Sequence, residues 1–300
     1  MWCNLVRMAE KQTVVVTGGA GMIGSQLIEL LLPKYRVVSL DNYFIGKKES
    51  HIDGAEYIEG YTKDIEKLLG DEKPVIIFHL GEYSRVEQSF KDIELVWQTN
   101  VAGTFRVLEY WRAKNTAGRQ CKLVYAGSST KFADGGLGRD QSPYAWMKAS
   151  NTELVQNYGR WFNLPYAITY FYNAYGPREL ASGPYASVIG RFKTLYAAGE
   201  PITVVAPGTQ KRNFTHVEDL ARGLLMVGEK GQGDEFGLGS HESYSILEIA
   251  KMFTDNIVML PERPGNRMES VVDTARAEKE FGWKATHTVR DYIESLKRQQ

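Results

Sequence analysis

The chain has 300 residues, 43% of them hydrophobic, enough to bury a core as one large domain or two modest ones. Lys plus Arg and Asp plus Glu both number 36, so no whole-molecule field draws the protein to nucleic acid or an anionic membrane, and any anion it binds must be captured locally. Two cysteines, Cys3 and Cys121, argue against a disulfide framework or a thiolate metal site; the opening MWCNLVRMAEK is too polar for a secretory leader, and no apolar run spans a bilayer, so a cytoplasmic protein is expected.

TVVVT, Thr13 to Thr17, reads as a strand, and the helix after it carries Ile23, Leu27, Leu30 and Leu31 on one face. Further strands follow as RVVSL (36–40), PVIIFHL (74–80), KLVYA (122–126) and YAITYFY (166–172). Such near-continuous apolar runs imply a parallel sheet covered on both faces. After Pro177 the texture changes to shorter elements punctuated by Gly183, Pro184, Gly199, Pro201, Pro207, Gly208 and PERPG from Pro261. The expected fold is therefore α/β: a Rossmann-type doubly wound parallel sheet over residues 1–172, to which some later segments return, with a smaller C-terminal α/β substrate lobe over 173–300.

Between the first strand and its helix stands TGGAGMIG, which contains Gly18, Gly21 and Gly24 at intervals of three. Missing Cβ atoms let the turn tighten and the backbone approach a pyrophosphate, while the free N–H groups opening the helix face the anion. A tight turn alone asks for the same residues; the strand-turn-helix context favours a dinucleotide. The second strand runs on to Asp41, close to the ~20-residue spacing at which a carboxylate meets a ribose diol and repels a 2′-phosphate, so NAD is expected rather than NADP. The alternative is a solvated turn at Asp41-Asn42, with Lys47 and Lys48 serving a phosphate.

Tyr144 and Lys148 stand four apart in SPYAWMKASNTELVQNYG, which on a helix places them on one face. A tyrosine with an ordinary pKa near 10 needs positive charge beside it to act as a base at neutral pH, and Lys148 and an oxidised nicotinamide both supply it. Just upstream, the strand ending AGSST directs Ser128 into the crevice where ligands of such sheets bind, a candidate to orient a reacting hydroxyl. Each has a plainer reading, an exposed Tyr/Lys pair and a serine that starts a turn. His216 stands beside Glu218 and Asp219, but His51, His79, His241 and His287 are scattered along the chain, so no metal is expected.

Taken in order, TGGAGMIG, Asp41, HLGEYSRVEQS, NVAGT, AGSST, YAWMK, FYNAYGPR, QKRNFTHVEDLA and ERPG resemble the extended short-chain dehydrogenases known as NAD-dependent sugar epimerases/dehydratases, over roughly residues 12 to 290. Within that family the chain resembles the UDP-glucose or UDP-N-acetylglucosamine 4-epimerases. The resemblance implies that Tyr144 takes the proton of the sugar 4-hydroxyl as hydride leaves C4 for NAD, with Lys148 lowering the phenol and holding the nicotinamide ribose and Ser128 orienting the hydroxyl. It carries cofactor contacts to Gly18, Gly21, Met22, Ile23, Gly24, Asp41, Asn42, Asp64, Ile65, Leu80, Gly81 and Asn100 beside Tyr144 and Lys148. Substrate contacts fall on Arg85, Ser129, Asn173, Val188, Arg212 and Arg263, the arginines matching diphosphate oxygens with their forked donors.

Among the family's chemistries, 4,6-dehydratases carry an Asp-Glu pair where this chain has Ser129 and Thr130, and decarboxylases also place an acid near Thr130, which leaves simple 4-epimerisation of a UDP-hexose or UDP-N-acetylhexosamine. Ser270 falls in the segment that gates N-acetylated sugars. Departures from the family pattern stand at Tyr61, Tyr170 and Lys131-Phe132, and in a short connection from Ser128 to Tyr144. The other readings are an NAD(P)H-dependent 4-keto reductase, a 4,6-dehydratase-like enzyme and a dinucleotide-binding redox sensor without chemistry. Relatives pair as homodimers through four helices, here the stretch Asn100 to Trp111 and the Tyr144 helix.

Overall fold

A computed structural model describes residues 11–116, 118–262 and 272–299, the side chains of 131, 133–135 and 137 aside. Arg263 and Ser270 lie outside the described residues, as does Cys3. In chain order the first half builds β1 (Thr13–Thr17), α1 (Met22–Leu31), β2 (Arg36–Asp41), β3 (Glu56–Glu59), α2 (Ile65–Leu69), β4 (Pro74–His79), α3 (Ile93–Val96), α4 (Gly103–Lys114), β5 (Lys122–Ser128), α5 (Pro143–Phe162) and β6 (Tyr166–Phe171). The second half adds β7 (Ala174–Tyr175), α6 (Val188–Ala197), β8 (Ile202–Val205), β9 (Lys211–Asn213), β10 (Thr215–His216), α7 (Val217–Lys230) and β11 (Gly233–Leu238). It closes with β12 (Ser243–Ser245), α8 (Ile246–Phe253), β13 (Ile257–Leu260), α9 (Ala275–Phe281) and α10 (Val289–Arg298).

The central sheet has seven strands, all parallel, in the order β11-β6-β5-β4-β1-β2-β3. Successive strands run outward from β1 in one direction and from β4 in the other, so the order reverses between those two, and the crevice beyond their carboxyl ends is where ligands of open α/β sheets bind. Alternate side chains of each apolar run serve opposite faces. Val14 and Val16 meet Leu27, Ile28 and Leu31 of α1 and Leu220, Leu224 and Val227 of α7, whereas Val15 joins Val107, Leu108 and Trp111 of α4 and Val155 of α5. Burial of that many aliphatic and aromatic side chains, each about 1.5–3 kcal/mol, is what sets the two helical layers on the sheet.

β11 was not anticipated: GDEFGL has only Phe236 and Leu238 as fully buried apolar anchors, and Glu235 sits at φ 73 where its register against β6 shifts. The chain therefore returns to the sheet edge after residue 230, carrying α7 with it onto α1. A separate core of Tyr175, Ile189, Phe192, Ile202, Val204, Ile249, Phe253 and Ile293 holds α6, α8, α10 and the short strand pair β8 and β13. The helix expected from Asn100 begins earlier, with Trp97–Ala102 wound as a π-helix that runs into α4, and both Asn100 and Trp111 are fully buried rather than facing outward.

Candidate active site

The glycine turn after β1 is built so that backbone replaces side chain. Gly18 sits at φ 76, where a Cβ is strained, and an added Cβ would lie 2.8 Å from Gly81 Cα, so the ends of β1 and β4 touch through two glycines. A Cβ on Gly24 would reach 2.2 Å from the Gly18 carbonyl oxygen, which fixes how closely α1 stands over the turn. Gly21 caps that helix without any side-chain hydrogen bond, leaving the amides of Met22, Ile23 and Gly24 for an anion. Asp41 ends β2 beside them, 7% exposed, with Oδ2 accepting the Ala20 amide at 2.9 Å and Oδ1 that of Tyr43 at 2.8 Å. Burial raises its carboxyl above the ordinary aspartate value, against the pull of those backbone donors. Each oxygen keeps a lone pair free for a ribose hydroxyl. Lys48, the alternative phosphate ligand, pairs instead with Glu59 at 3.2 Å.

The other expected cofactor residues divide into two kinds. Leu80 and Gly81 hang on β1, through Thr17 O (3.1 Å) and Thr17 Oγ1 (3.0 Å). Ile65 is fully buried core and Asp64 an exposed residue at the start of α2, with Asn42 also near the β2 end, its Oδ1 accepting Phe44 N at 3.1 Å. Asn100 has its side chain committed to Tyr83, accepting its amide at 2.7 Å and donating to its carbonyl at 3.0 Å, so it shapes the loop after β4 from behind.

α5 begins on a Ser142 cap, whose Oγ accepts Ala145 N at 3.1 Å, and on Pro143. That start places Tyr144 in the first turn and Lys148 one turn deeper. The Tyr144 hydroxyl donates to Ser128 Oγ at 3.3 Å, and Ser128 also accepts the Thr130 hydroxyl at 2.9 Å, so the strand end and the helix start meet on one oxygen. Ser128, Ser129 and Thr130 are all buried.

Lys148 is 4% exposed, and its ammonium is held by the carboxylate of Glu82 and the carbonyl of Ala126, with the Tyr125 ring 4.3 Å away. Glu82 was not identified from the sequence. Its Oε1 accepts Thr104 Oγ1 (2.8 Å), Asn151 Nδ2 (2.9 Å) and the Tyr125 hydroxyl (3.2 Å). Burial by itself raises the Glu82 carboxyl, but the Lys148 charge, His79 and these donors outweigh it and hold it below the ordinary range. His79 lies between Thr17 Oγ1 (2.7 Å, through Nδ1) and Thr104 Oγ1 (2.9 Å, through Nε2), and burial keeps it neutral, with a pKa of about 4. Because Thr104 donates to Glu82 and Thr17 accepts the Gly81 amide, the network assigns the histidine proton to Nε2.

Arg85 reaches toward the same space. Its Nε donates to the Tyr185 carbonyl at 2.6 Å; burial lowers its pKa, and the nearby Tyr144 and Tyr83 act in the opposite sense. Asn173, at φ 34, donates to Asn213 O at 3.0 Å and ties β9 to the end of β6; Val188 opens α6 at 39% exposed; Arg212 lies in β9 with Nη1 on Lys211 O at 2.7 Å. These three sit in the second half of the chain, at the end of β6, the start of α6 and in β9.

The histidines prove scattered only in sequence. Among the described residues, His216, Glu218 and His287 bring ligand atoms within 4.8 Å of one another. The two imidazoles stack at 4.5 Å and 26°, and His287 Nε2 lies 3.3 Å from Glu218 Oε2. His216 Nδ1 accepts the Glu218 amide at 3.4 Å, a helix cap, and His287 Nδ1 lies 3.2 Å from Asp219 Oδ2, a hydrogen-bond contact.

The sequence pattern of the NAD-dependent epimerase/dehydratase family matches residues 14–239. The chain is 27% identical to a dTDP-glucose 4,6-dehydratase of Neisseria gonorrhoeae, across 91% of both proteins. It is 30% identical to a UDP-N-acetyl-alpha-D-glucosaminuronate decarboxylase of Bacillus cytotoxicus, across 80% of this chain and 79% of that one. The crystal structure of the Thermus thermophilus UDP-glucose 4-epimerase in complex with NAD superposes with a TM-score of 0.84 at 26% identity, covering 94% of this chain and 96% of the other. A glycine turn that only backbone fits, an acid at the β2 end and a Ser-Tyr-Lys group at the β5 end all suit NAD, which the family uses, and this chain belongs to the NAD-dependent epimerase/dehydratase family of enzymes acting on nucleotide sugars.

Proposed function

We propose that the protein is an NAD-dependent 4-epimerase of a nucleotide sugar, a UDP-hexose or UDP-N-acetylhexosamine, acting through a transient 4-keto sugar. The observation that carries this reading is the meeting of Tyr144 with Ser128, followed at 129 and 130 by buried hydroxyls instead of carboxyls. Tyr144 removes the proton of the 4-hydroxyl and later returns it, while Ser128 holds the oxygen in line. NAD, held by the glycine turn and Asp41, would supply the hydride acceptor for C4 and the donor for its return to the opposite face of the keto sugar. Lys148 stands one helical turn from Tyr144, and an ammonium beside a phenol favours the phenolate form. Elimination of water from the sugar would need a further acid and base, and the hydroxyls of Ser129 and Thr130 supply neither.

Residues 173–300, apart from the segments that rejoin the sheet, form the lobe for the nucleotide sugar, with Asn173, Val188 and Arg212 toward the nucleotide and Arg85 and Ser129 toward the sugar; Arg263, outside the described residues, joins the nucleotide set on the sequence resemblance alone. The curated relatives named as dehydratases favour a second reading, formation of a 4-keto-6-deoxy sugar. Products formed from a panel of UDP-, GDP-, CDP- and dTDP-sugars, read by NMR, separate the two: inversion at C4 keeps the C6 hydroxymethyl, elimination converts it to a methyl group. Net consumption of NADH or NADPH would mark a reductase. Tyr144→Phe is expected to bind NAD as before and to lose at least ~10² in turnover; unchanged turnover removes the mechanism.

A further inference from the structure

Glu82 has no place in the reaction as described so far, yet it sits at the centre of the site. Its side chain is 4% exposed, one oxygen on the Lys148 ammonium and the other receiving donors from β5, α4 and α5. Every one of those partners donates, so the site has been filled as for a permanent anion. Through Thr104, His79 and Thr17 the same carboxylate connects to the Gly81 amide in the loop that packs on the glycine turn.

We propose that Glu82 is a positioning residue for the reaction: its buried carboxylate keeps Lys148 charged and pinned beneath Tyr144. A buried ammonium whose only other acceptor were a backbone carbonyl would pay its desolvation alone and shed its proton; the carboxylate offsets that cost. The pinned ammonium lies over the Tyr125 face and within one helical turn of Tyr144. The charged or titratable groups around it are Glu82 and His79 from β4 and its loop, Tyr125 from β5, Tyr144 on its own helix, and Arg85 beyond Tyr144. Of these Glu82 is the one ionised acid among the described contacts, and removing it leaves the surroundings of the Lys148 ammonium more positive, which disfavours its charge. The carboxylate also draws α5, β5 and α4 to one point, which sets the distance from the helix to the strand end.

The proposal rests on Lys148 serving the Tyr144 base, and its test is a direct titration of the lysine. Carbon-13 at Cε of the lysines, with Lys148→Met to assign the resonance, gives the Lys148 midpoint in the NAD-loaded protein. In Glu82→Gln it is expected to fall by at least about one pH unit, the low end of what an adjacent opposite charge contributes. The kcat should drop about tenfold or more with the KM for the sugar nucleotide within threefold, and the alkaline limb of kcat should move to lower pH. Glu82→Asp, which keeps the charge, should restore the midpoint to within a few tenths of a unit. Should the amide's own donors unseat the fold, Glu82→Ala removes the carboxylate without adding donors and carries the same expected sign. A Lys148 midpoint unmoved in the folded Gln or Ala variant overturns the proposal. Turnover that survives Tyr144→Phe sinks the epimerase mechanism instead, and leaves the lysine titration to decide on Glu82.

Discussion

A partly buried glutamate and a fully buried histidine set opposing pH slopes on stability. Burial raises Glu179 to a pKa of about 7, with Oε2 taking the Ser187 hydroxyl and Oε1 among the buried atoms without a partner. Its folded-state value lies above the ordinary 4.5, so the native state holds a proton that the unfolded chain releases, and stability falls as pH rises from 4.5 to 7. His79 does the reverse: its folded value of about 4 lies below the ordinary 6.5, the native state binds fewer protons, and stability rises with pH across that window. Each is worth up to about 3 kcal/mol, so the two largely cancel between pH 4.5 and 6.5. Glu179→Gln is expected to raise the melting temperature at pH 8 while matching the parent near pH 4.5, measured by calorimetry across that range. A variant no more stable at pH 8 would mean that the carboxylate is solvated in the folded protein. At this scale Tyr144, Lys148 and Ser128 were legible because a helix repeat and a strand end fix their neighbours. Glu82 was not, because its partner stands 66 residues away and meets it only once β4 pairs with β5 and α5 packs on that sheet.

At the scale of elements, close backbone packing decides the cofactor turn. Gly24→Ala puts a methyl group 2.2 Å from the Gly18 oxygen, which α1 can relieve only by backing away from the turn. The helix then carries its first amides with it, and NAD affinity is expected to fall at least tenfold by isothermal titration, with the fold retained by circular dichroism. Unaltered affinity would mean that those amides do not hold the pyrophosphate. The apolar runs of β1, β2, β4, β5 and β6 were readable because both faces of these strands are covered, which removes the polar alternation that would blur them. β3, with EYIE, and β11, with GDEFGL, sit at the sheet edges and lack that signal. The short pairs β8 with β13 and β9 with β12 depend on contacts across 55 and 30–34 residues that no local pattern contains. Nor does any residue pattern mark the π-helical stretch, which aims Asn100 at the loop after β4.

For the whole molecule, several large apolar side chains of the helices after β4 and β5 stand exposed. Trp97 (45%), Phe105 (42%), Trp161 (63%) and Phe162 (45%) present large apolar side chains from the π-helical stretch, α4 and α5. The homodimer inferred from the family resemblance would use these in place of Trp111, which is core. Phe105→Asp combined with Trp161→Asp is expected to yield a monomer by light scattering that still binds NAD; a dimer that persists places the contact elsewhere. No helix among the described residues is long and apolar enough to cross a membrane. The change of texture after Pro177 announced the second core, and later segments were expected to rejoin the first, but no pattern marked 233–238 as the strand that does so. That return has a consequence during synthesis. Until Leu238 has emerged, β6 is the outermost strand and offers a row of unsatisfied amides and carbonyls, so the nascent protein carries a sticky border that only its own later segment can seal.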